Sequence, residues 1–120
     1  MRRVILESPY AGNFIQRWLN RRYARKCVRD SLLRDEAPIA SHLLYTQRGI
    51  LKDHIQDDRV MGIMAGLAWK EVAEASVVYT DRGISKGMEY GILAATEHGI
   101  VIEYRSLYTP YPDPLRYLKS

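Results

Sequence analysis

The sequence predicts a small α/β fold of Rossmann or flavodoxin type, a doubly wound, mostly parallel sheet of four to five strands with helices on both faces. Short apolar runs alternate with longer amphipathic segments in the order strand, helix, strand, helix, strand, helix, strand. This alternation favours parallel strands joined by helical crossovers. The chain has 120 residues, of which 47% are hydrophobic, and this is enough for the core of one domain.

The first part of the chain supplies two strands and one long helix. The apolar run at residues 4–6 predicts a buried strand that ends before Pro9, because the residue preceding a proline is biased away from helix. Asn13 is a suitable N-cap for a helix that runs to about Arg34. Residues 37–41 predict a second strand with Pro38 at its start, a position where strands tolerate proline. Residues 42–56 are predicted to form a long polar connection.

The second part supplies two helices and two strands. Asp57 and Asp58 suit the positive end of a helix dipole and predict a helix start. The apolar stripe of this helix comprises Val60, Ile63, Met64, Leu67, Ala68 and Val72. Residues 77–79 predict the third strand, residues 80–86 a polar turn and residues 87–98 a helix, and Gly99 suits its C-terminal cap. The fourth strand covers residues 100–104.

The predicted domain spans residues 1–107, and residues 108–120 form a tail rich in tyrosine and proline. We expect the tail to pack on the domain or on a partner subunit, and we expect a homodimer or a higher oligomer. The single cysteine, Cys27, excludes an intrachain disulfide and suits a reducing compartment. No apolar run has the roughly 18–20 residues of a membrane span, so the cytoplasm is the expected location.

The net charge of +4 arises largely from one predicted helix. Its basic residues are Arg17, Arg21, Arg22, Arg25, Lys26 and Arg29. Such a cluster could meet a phosphorylated ligand or nucleic acid. The acidic residues Asp30, Asp35 and Glu36 follow at once and dilute its field, so we interpret it as a solvated helix face and do not expect nucleic acid as a partner.

Polar side chains concentrate after the predicted strands. Ligands of open parallel sheets bind beyond the carboxyl ends of the strands, near the point where strand order reverses. The candidate ligand-binding residues in these segments are Glu7, Ser8, Pro9, Tyr10, Ser41, His42, Ser85, Gly87, Met88 and Arg105. The histidine spacing matches no metal-ligand pattern, and we expect neither a metal nor a cofactor.

Glu89 and Asp81 are the candidate catalytic residues. With Ser85 as N-cap, Glu89 falls in the first turn of a helix, where the dipole and free backbone N–H groups keep a carboxylate ionised. An ionised carboxylate is a suitable nucleophile for an anomeric carbon. Asp81 precedes the same turn and could supply the second carboxylate that glycosidic chemistry commonly uses. A helix-start glutamate with only a structural role is the alternative.

Residues 75–91, together with residues 4–12, resemble the nucleoside 2-deoxyribosyltransferase superfamily, and within it the 2′-deoxynucleoside 5′-phosphate N-hydrolases. The resemblance rests on the run Ser85-Lys86-Gly87-Met88-Glu89-Tyr90-Gly91, on the first-strand turn Glu7-Ser8-Pro9-Tyr10, on Ala40-Ser41-His42 and on Gly99-Ile100-Val101. It implies that Glu89 is the nucleophile and that Asp81 is the acidic residue after the third strand.

The resemblance implies hydrolysis or transfer at the N-glycosidic bond of a nucleoside or nucleotide. Ser8, Tyr10 and His42 would then position the sugar and phosphate. The chain departs from the family pattern at Ser76, and at Ala68-Trp69 where the family has an aspartate. These departures keep two alternatives open: a non-catalytic binder of a nucleotide or nucleotide-derived signal, and a module that contacts a protein or nucleic acid.

Overall fold

The computed structural model describes residues 1–111, and within them four strands and four helices alternate. Their bounds are β1 Arg2–Glu7, α1 Phe14–Leu33, β2 Glu36–Ile39, α2 Ser41–Leu44, α3 Gln56–Lys70, β3 Ala75–Tyr79, α4 Lys86–Glu97 and β4 Val101–Arg105. All strand pairs are parallel and the order is β2-β1-β3-β4. The predicted α/β fold class is confirmed.

The two faces of the sheet follow from the strand order. The connection from β1 to β2 and the connection from β2 to β3 cross the sheet in opposite directions. Right-handed crossovers therefore put α1 on one face and α3 and α4 on the other. On the α1 face, Val4 and Leu6 of β1 and Val77 of β3 pack with Tyr23 and Cys27 of α1.

The N-caps that the sequence predicts for α1 and α4 are both present. The Asn13 side chain accepts a hydrogen bond from the Gln16 backbone N–H at 2.9 Å, and the Gln16 side chain accepts one from the Asn13 N–H at 2.9 Å. Ser85 accepts a hydrogen bond from the Met88 N–H at 3.3 Å. Each cap satisfies N–H groups that have no partner inside the helix.

Several predicted boundaries were wrong. Pro38 is the third residue of β2, where it lies opposite Val4, rather than the residue that leads the strand in. The edge position of β2 tolerates it, because an edge strand needs hydrogen bonds on one side only. The predicted loop 42–56 includes most of the short helix α2. Arg105 is the last residue of β4 rather than the start of the following loop.

The predicted apolar stripe of α3 faces outward in this chain. Val60, Ile63 and Met64 are more than half exposed, and the one buried residue described for α3 is Lys70. The glycines of α3 pack closely against the preceding segment rather than against the sheet. A Cβ at Gly62 would lie 3.3 Å from Leu51, and one at Gly66 would lie 2.8 Å from the Ser41 hydroxyl.

A buried ionic network lies on the α1 face of the sheet. Arg105 donates to both carboxylate oxygens of Glu36, at 2.7 and 3.0 Å, and to Glu103 at 2.8 Å. Arg2 donates to Glu36 at 2.6 Å. Burial opposes the ionisation of Glu36, but the hydrogen bonds from Arg105, Arg2 and Ser31 outweigh it and lower the pKa of Glu36 to about 2. The network therefore links the first, second and fourth strands by charge.

The first residues after β4 contact α1. Arg34 donates to the backbone oxygens of Thr109 at 2.6 Å and Pro110 at 3.3 Å, and its guanidinium lies over the Tyr111 ring. The remainder of the predicted tail, residues 112–120, lies outside the described residues. Its packing on the domain or on a partner subunit stays a prediction.

Candidate functional site

The carboxyl ends of β1 and β3 meet at the point where strand order reverses. Glu7, at the end of β1, lies beside Val78 of β3, and β2 and β3 flank β1 on opposite sides. This is the place where an open parallel sheet leaves a crevice for a ligand. The structure brings the segments after β1, β2 and β3 together there, and they contain most of the predicted site residues.

Ser8 and His42 join the ends of the first two strands. The Ser8 hydroxyl and His42 Nε2 are 2.6 Å apart, and Ser8 is buried. Burial and the positive charge of Lys70 lower the pKa of His42 to about 4. The imidazole is therefore neutral at pH 7, and it can accept a proton or a hydrogen bond from the hydroxyl.

Glu7 forms an ion pair that the sequence analysis missed. Its Oε1 lies 3.0 Å from Nζ of Lys70, and the two side chains are 13% and 5% exposed. Burial raises the pKa of Glu7, and the charge and hydrogen bond of Lys70 oppose that rise. Lys70 gives no sequence signal, because a single lysine at the end of an apolar helix normally reaches solvent.

The other Glu7 oxygen, Oε2, has no hydrogen-bond partner within residues 1–111. The carboxylate lies against α4 where that helix has no side chain. A Cβ at Gly91 would be 2.3 Å from Oε1 and 2.7 Å from Oε2. Gly91 therefore makes room for the carboxylate beside α4.

The helix start that carries Glu89 is formed as the sequence predicts. Ser85 is the N-cap, and Glu89 lies in the first turn with its backbone N–H bonded to the Ser85 carbonyl at 3.0 Å. The Glu89 side chain is exposed. In the described part of the chain, its carboxylate has neither a hydrogen bond nor an ion pair, and so it is free to meet a ligand.

Met88 and Gly87 differ in what they offer a ligand. Met88 is among the fully buried side chains, and its sulfur accepts the Ser85 N–H at 3.4 Å. The predicted ligand contact of Met88 therefore cannot involve its side chain. Gly87 is open, since an added Cβ would find only the Ser85 hydroxyl, at 3.9 Å.

Asp81 is engaged in contacts with other elements. It accepts a hydrogen bond from the Tyr23 hydroxyl at 2.5 Å and from the Leu107 backbone N–H at 3.1 Å. Its own N–H donates to the Tyr23 oxygen at 3.0 Å. These contacts direct the carboxylate towards α1 and the segment after β4, and they fix the turn that precedes α4.

Hydrogen bonds of Asn20, which the sequence did not predict, hold together two turns at the rim of the site, which is formed by the segments after β1 and β3. Asn20 of α1 donates to the backbone oxygens of Tyr10 and Ala11, at 3.3 and 3.4 Å, and accepts from Nε of Arg82 at 2.9 Å. It thus ties the turn after β1 to the turn after β3. Arg82 is exposed, and the structure describes no carboxylate paired with it.

Arg105 was the predicted cation of the site, but its guanidinium is buried and bonded to Glu36 and Glu103. Arg82 and Lys86 are exposed cations at this edge, and a phosphate could reach either of them.

Two surface depressions lie away from this edge. One has a volume of about 360 Å³ and is lined mainly by apolar residues of β1, β2 and the end of α3. The other, of about 470 Å³, lies around His54 and the start of α3. Within residues 1–111, no three histidine, cysteine, aspartate or glutamate residues converge as metal ligands. No helix in this part is long and apolar enough to cross a membrane.

Comparison with known proteins identifies the family of this chain and a solved structure with a similar fold. The model of a family described as "Domain of unknown function (DUF7768)" matches residues 2–105. A solved structure of a 2-deoxyribosyltransferase from the psychrotolerant bacterium Bacillus psychrosaccharolyticus superposes with a TM-score of 0.61 at 13% identity, covering 92% of this chain and 77% of that one. At this identity the similarity establishes the fold. No curated protein matches the sequence.

Proposed function

This chain belongs to the family described as Domain of unknown function (DUF7768), and we propose that it cleaves the N-glycosidic bond of a 2′-deoxynucleoside or its 5′-phosphate. The observation that carries the proposal is the exposed carboxylate of Glu89, unpaired within residues 1–111, in the first turn of α4 at the switch point of the sheet. The structural neighbour is a 2-deoxyribosyltransferase, and the sequence resembles the N-hydrolase branch of the same superfamily. Both support this reaction class.

In the proposed reaction, Glu89 attacks the anomeric carbon and forms a covalent ester with the sugar, and the C1′–N bond breaks with its electron pair passing to the base. Water then releases the sugar, or a second base accepts it. The helix dipole and the free N–H groups of the first turn keep Glu89 ionised for the attack. No metal or cofactor is required for these steps.

The remaining residues of the edge are proposed to hold the substrate. Ser8 and His42, bonded to each other at 2.6 Å, would offer a neutral pair to a sugar hydroxyl. Arg82 at the rim would pair with a 5′-phosphate. The other proposed contacts are Glu7, Pro9, Tyr10, Ser41, Ser85 and Gly87. Asp81 would act indirectly, by fixing the turn through Tyr23 and Leu107.

Base release from a substrate panel tests this function. We expect the wild-type chain to liberate free base from at least one 2′-deoxynucleoside or 2′-deoxynucleoside 5′-monophosphate, detected by chromatography. Preference for the phosphorylated members would support the contact of Arg82 with phosphate. The absence of base release from every member would refute the proposed reaction.

A non-catalytic binder is the second candidate function. The Asp81 carboxylate accepts hydrogen bonds from Tyr23 and Leu107, so Glu89 lacks the second catalytic carboxylate that the sequence predicts. Thermal unfolding of the same mixtures separates the two. Stabilisation by an intact nucleotide that is recovered unchanged would favour binding, and stabilisation accompanied by free base would favour catalysis.

We retain a homodimer or higher oligomer as a proposal, and the cytoplasm as the expected compartment. The outward apolar side chains of α3, with Met64 62% exposed, support association with a second copy, since monomers rarely expose contiguous apolar patches of this kind. We expect light scattering to give at least twice the mass of 13.9 kDa for one chain. A monomer at micromolar concentration would contradict the proposal.

A further inference from the structure

We propose that the outward face of α1 binds the phosphate backbone of a polynucleotide. Binding at this face needs none of the chemistry proposed for Glu89, so it can be tested separately from that function. The sequence predicted a solvated helix face and no nucleic-acid partner, because acidic residues follow the cations of α1. The structure places most of those acidic residues elsewhere.

Two of the three acidic residues after the cations of α1 do not reach its outward surface. Asp30 is buried and pairs with Arg34 at 2.8 Å. Glu36 is buried and pairs with Arg105 at 2.7 Å. Asp35 is exposed, and it follows the end of the helix. Their carboxylates therefore do little to dilute the positive field of the outward face.

The positive charge of the chain is concentrated on α1. The helix contains six basic residues and one acidic residue, a formal charge of +5, which exceeds the +4 of the whole chain. Within residues 1–111, none of the six pairs with a carboxylate. Like charges four residues apart destabilise a helix, and a bound polyanion would relieve this repulsion. The pairs at this spacing are Arg17 with Arg21, Arg21 with Arg25, Arg22 with Lys26, and Arg25 with Arg29.

Four exposed side chains form a line on the side of α1 that faces away from the core. They follow one another at steps of four, three and four residues, which keeps them on one side of a helix. These residues are Trp18, Arg22, Arg25 and Arg29. The buried residues Tyr23 and Cys27 lie on the opposite side. At 1.5 Å per residue the line is about 16 Å long, enough to follow several phosphates of one strand, which lie about 3.4 Å apart along the axis of a duplex.

The distribution of side chains on this face favours a phosphate backbone over a lipid bilayer. The guanidinium groups lie along its centre, and the exposed apolar residues Phe14, Ile15, Leu32 and Leu33 lie at the two ends of the helix. A helix that lies in a bilayer presents its apolar residues to the acyl chains and keeps its cations on the polar side. Guanidinium also matches phosphate oxygens with two hydrogen bonds. A second copy of this face would be repelled by its charge.

The amino-terminal part of the line lies near the candidate site and contains exposed aromatic rings. Asn20 bonds to Tyr10 and Arg82 in the turns that form the rim. Trp18 is 48% exposed and Phe14 is 72% exposed. Bases of a single strand stack on exposed aromatic rings, whereas the bases of a duplex are already stacked on one another. We therefore expect a single strand to bind more tightly than a duplex.

Fluorescence anisotropy with labelled single-stranded and duplex oligonucleotides of mixed sequence tests this surface. We expect the affinity of the wild type for the single strand to fall as salt rises, with a log–log slope of about 2 to 3 in magnitude for three or four phosphate contacts. The combined variant Arg22→Gln, Arg25→Gln and Arg29→Gln should raise Kd at least about 20-fold at low salt and flatten the slope. Its thermal unfolding should not occur at a lower temperature than that of the wild type, because like charges are removed.

The matched control removes three exposed cations from another part of the chain. Arg48→Gln, Lys52→Gln and Arg59→Gln change the net charge by the same amount, and we expect Kd to stay within about twofold of the wild type. Equal weakening by the two combined variants, or binding that does not depend on salt, would overturn the proposal. Tighter binding of the duplex would support the phosphate contacts and contradict stacking on the aromatic rings.

The emission of Trp18 gives an independent measurement. The chain has two tryptophans, so Trp69→Phe leaves Trp18 as the single reporter on α1. We expect the single-stranded oligonucleotide to quench this emission and vesicles of phosphatidylserine and phosphatidylcholine to leave it unchanged. A response to the vesicles together with no response to the oligonucleotide would overturn the proposal and assign the face to an anionic membrane surface. No response to either would also overturn it.

Discussion

Replacement of Glu89 by glutamine will lower base release by at least about 10³-fold, the scale of loss seen when a covalent nucleophile is removed. Glutamine keeps the size of the side chain but cannot form the ester with C1′. Its effect on folding should be small, because Glu89 is exposed and lacks a hydrogen-bond partner in residues 1–111. The loss of its favourable position at the helix start costs about 0.3–1 kcal/mol. Initial rates and thermal unfolding of the same preparation measure both effects.

Glu97→Gln is the control for this substitution. Glu97 is the last residue of α4 and is also exposed, so the same chemical change is made on the same helix far from its start. We expect its rate of base release to stay within twofold of the wild type, which corresponds to a change of about 0.4 kcal/mol or less in the activation free energy. Activity that persists in E89Q would remove Glu89 from the mechanism.

Substitution of Glu36 by alanine will cause the largest expected loss of stability, about 3–5 kcal/mol. The side chains of Glu36 and Arg105 are 5% and 7% exposed and bond at 2.7 and 3.0 Å. Without the carboxylate, the guanidinium of Arg105 remains buried, and Glu103 is its one remaining carboxylate partner within residues 1–111. Since domains of this size have roughly 5–15 kcal/mol of stability, the loss is a large part of the total. Urea unfolding at pH 7 measures it.

Arg3→Ala is the matched control, because the pair of Arg3 and Glu74 is exposed and 3.7 Å apart. Pairs of this kind contribute about 0–1 kcal/mol. A loss of less than 1 kcal/mol in E36A would show that the network contributes no more than a surface pair.

The Glu36 contribution should also depend on pH. The pKa of Glu36 falls to about 2 in the folded chain, below the ordinary value of about 4.3 for an unfolded glutamate. Its contribution is therefore fully present above pH 4.3 and is lost as the pH falls through 2. The free energy of unfolding of the wild type should fall over this window, and that of E36A should fall less. Parallel pH profiles for the two proteins would contradict this assignment.

The local parts of the fold could be predicted because their signals lie close together in sequence. Asn13 and Ser85 cap helices through backbone groups three residues away, and the β-branched strand β3 is buried along its whole length. The hydrophobic periodicity and the capping residues are sufficient to predict such elements. The parallel order followed from the alternation of strands and helices.

The buried ionic network could not be predicted. Its residues are distant in sequence, and charged residues at such positions are normally exposed to solvent. Glu36 and Arg105 were interpreted as a diluting acid and a ligand-facing cation, but the fold pairs them with each other. The apolar stripe of α3 was expected on the sheet, whereas its glycines contact Leu51 and Ser41 and its larger side chains face outward. Periodicity reports which side chains share a face, and it does not report what covers that face.

The sequence predicted the location of the candidate site but not most of the contacts within it. The turns after β1, β2 and β3 meet where the architecture requires, and Ser8 bonds to His42. Lys70 and Asn20 were missed, because each acts through one long-range contact, with Glu7 and with Arg82. The commitment of Asp81 to Tyr23 was missed for the same reason.

The most direct test of the central claim is to trap the sugar on the protein. The wild-type chain is incubated with a 2′-fluoro-substituted deoxynucleotide, in which the electron-withdrawing fluorine slows release of the covalent intermediate, and is then digested and examined by mass spectrometry. We predict a mass increase of one fluorinated sugar phosphate on the peptide containing Glu89, and its absence in E89Q. Free base without any covalent adduct, or an adduct on another residue, would contradict Glu89 as the nucleophile.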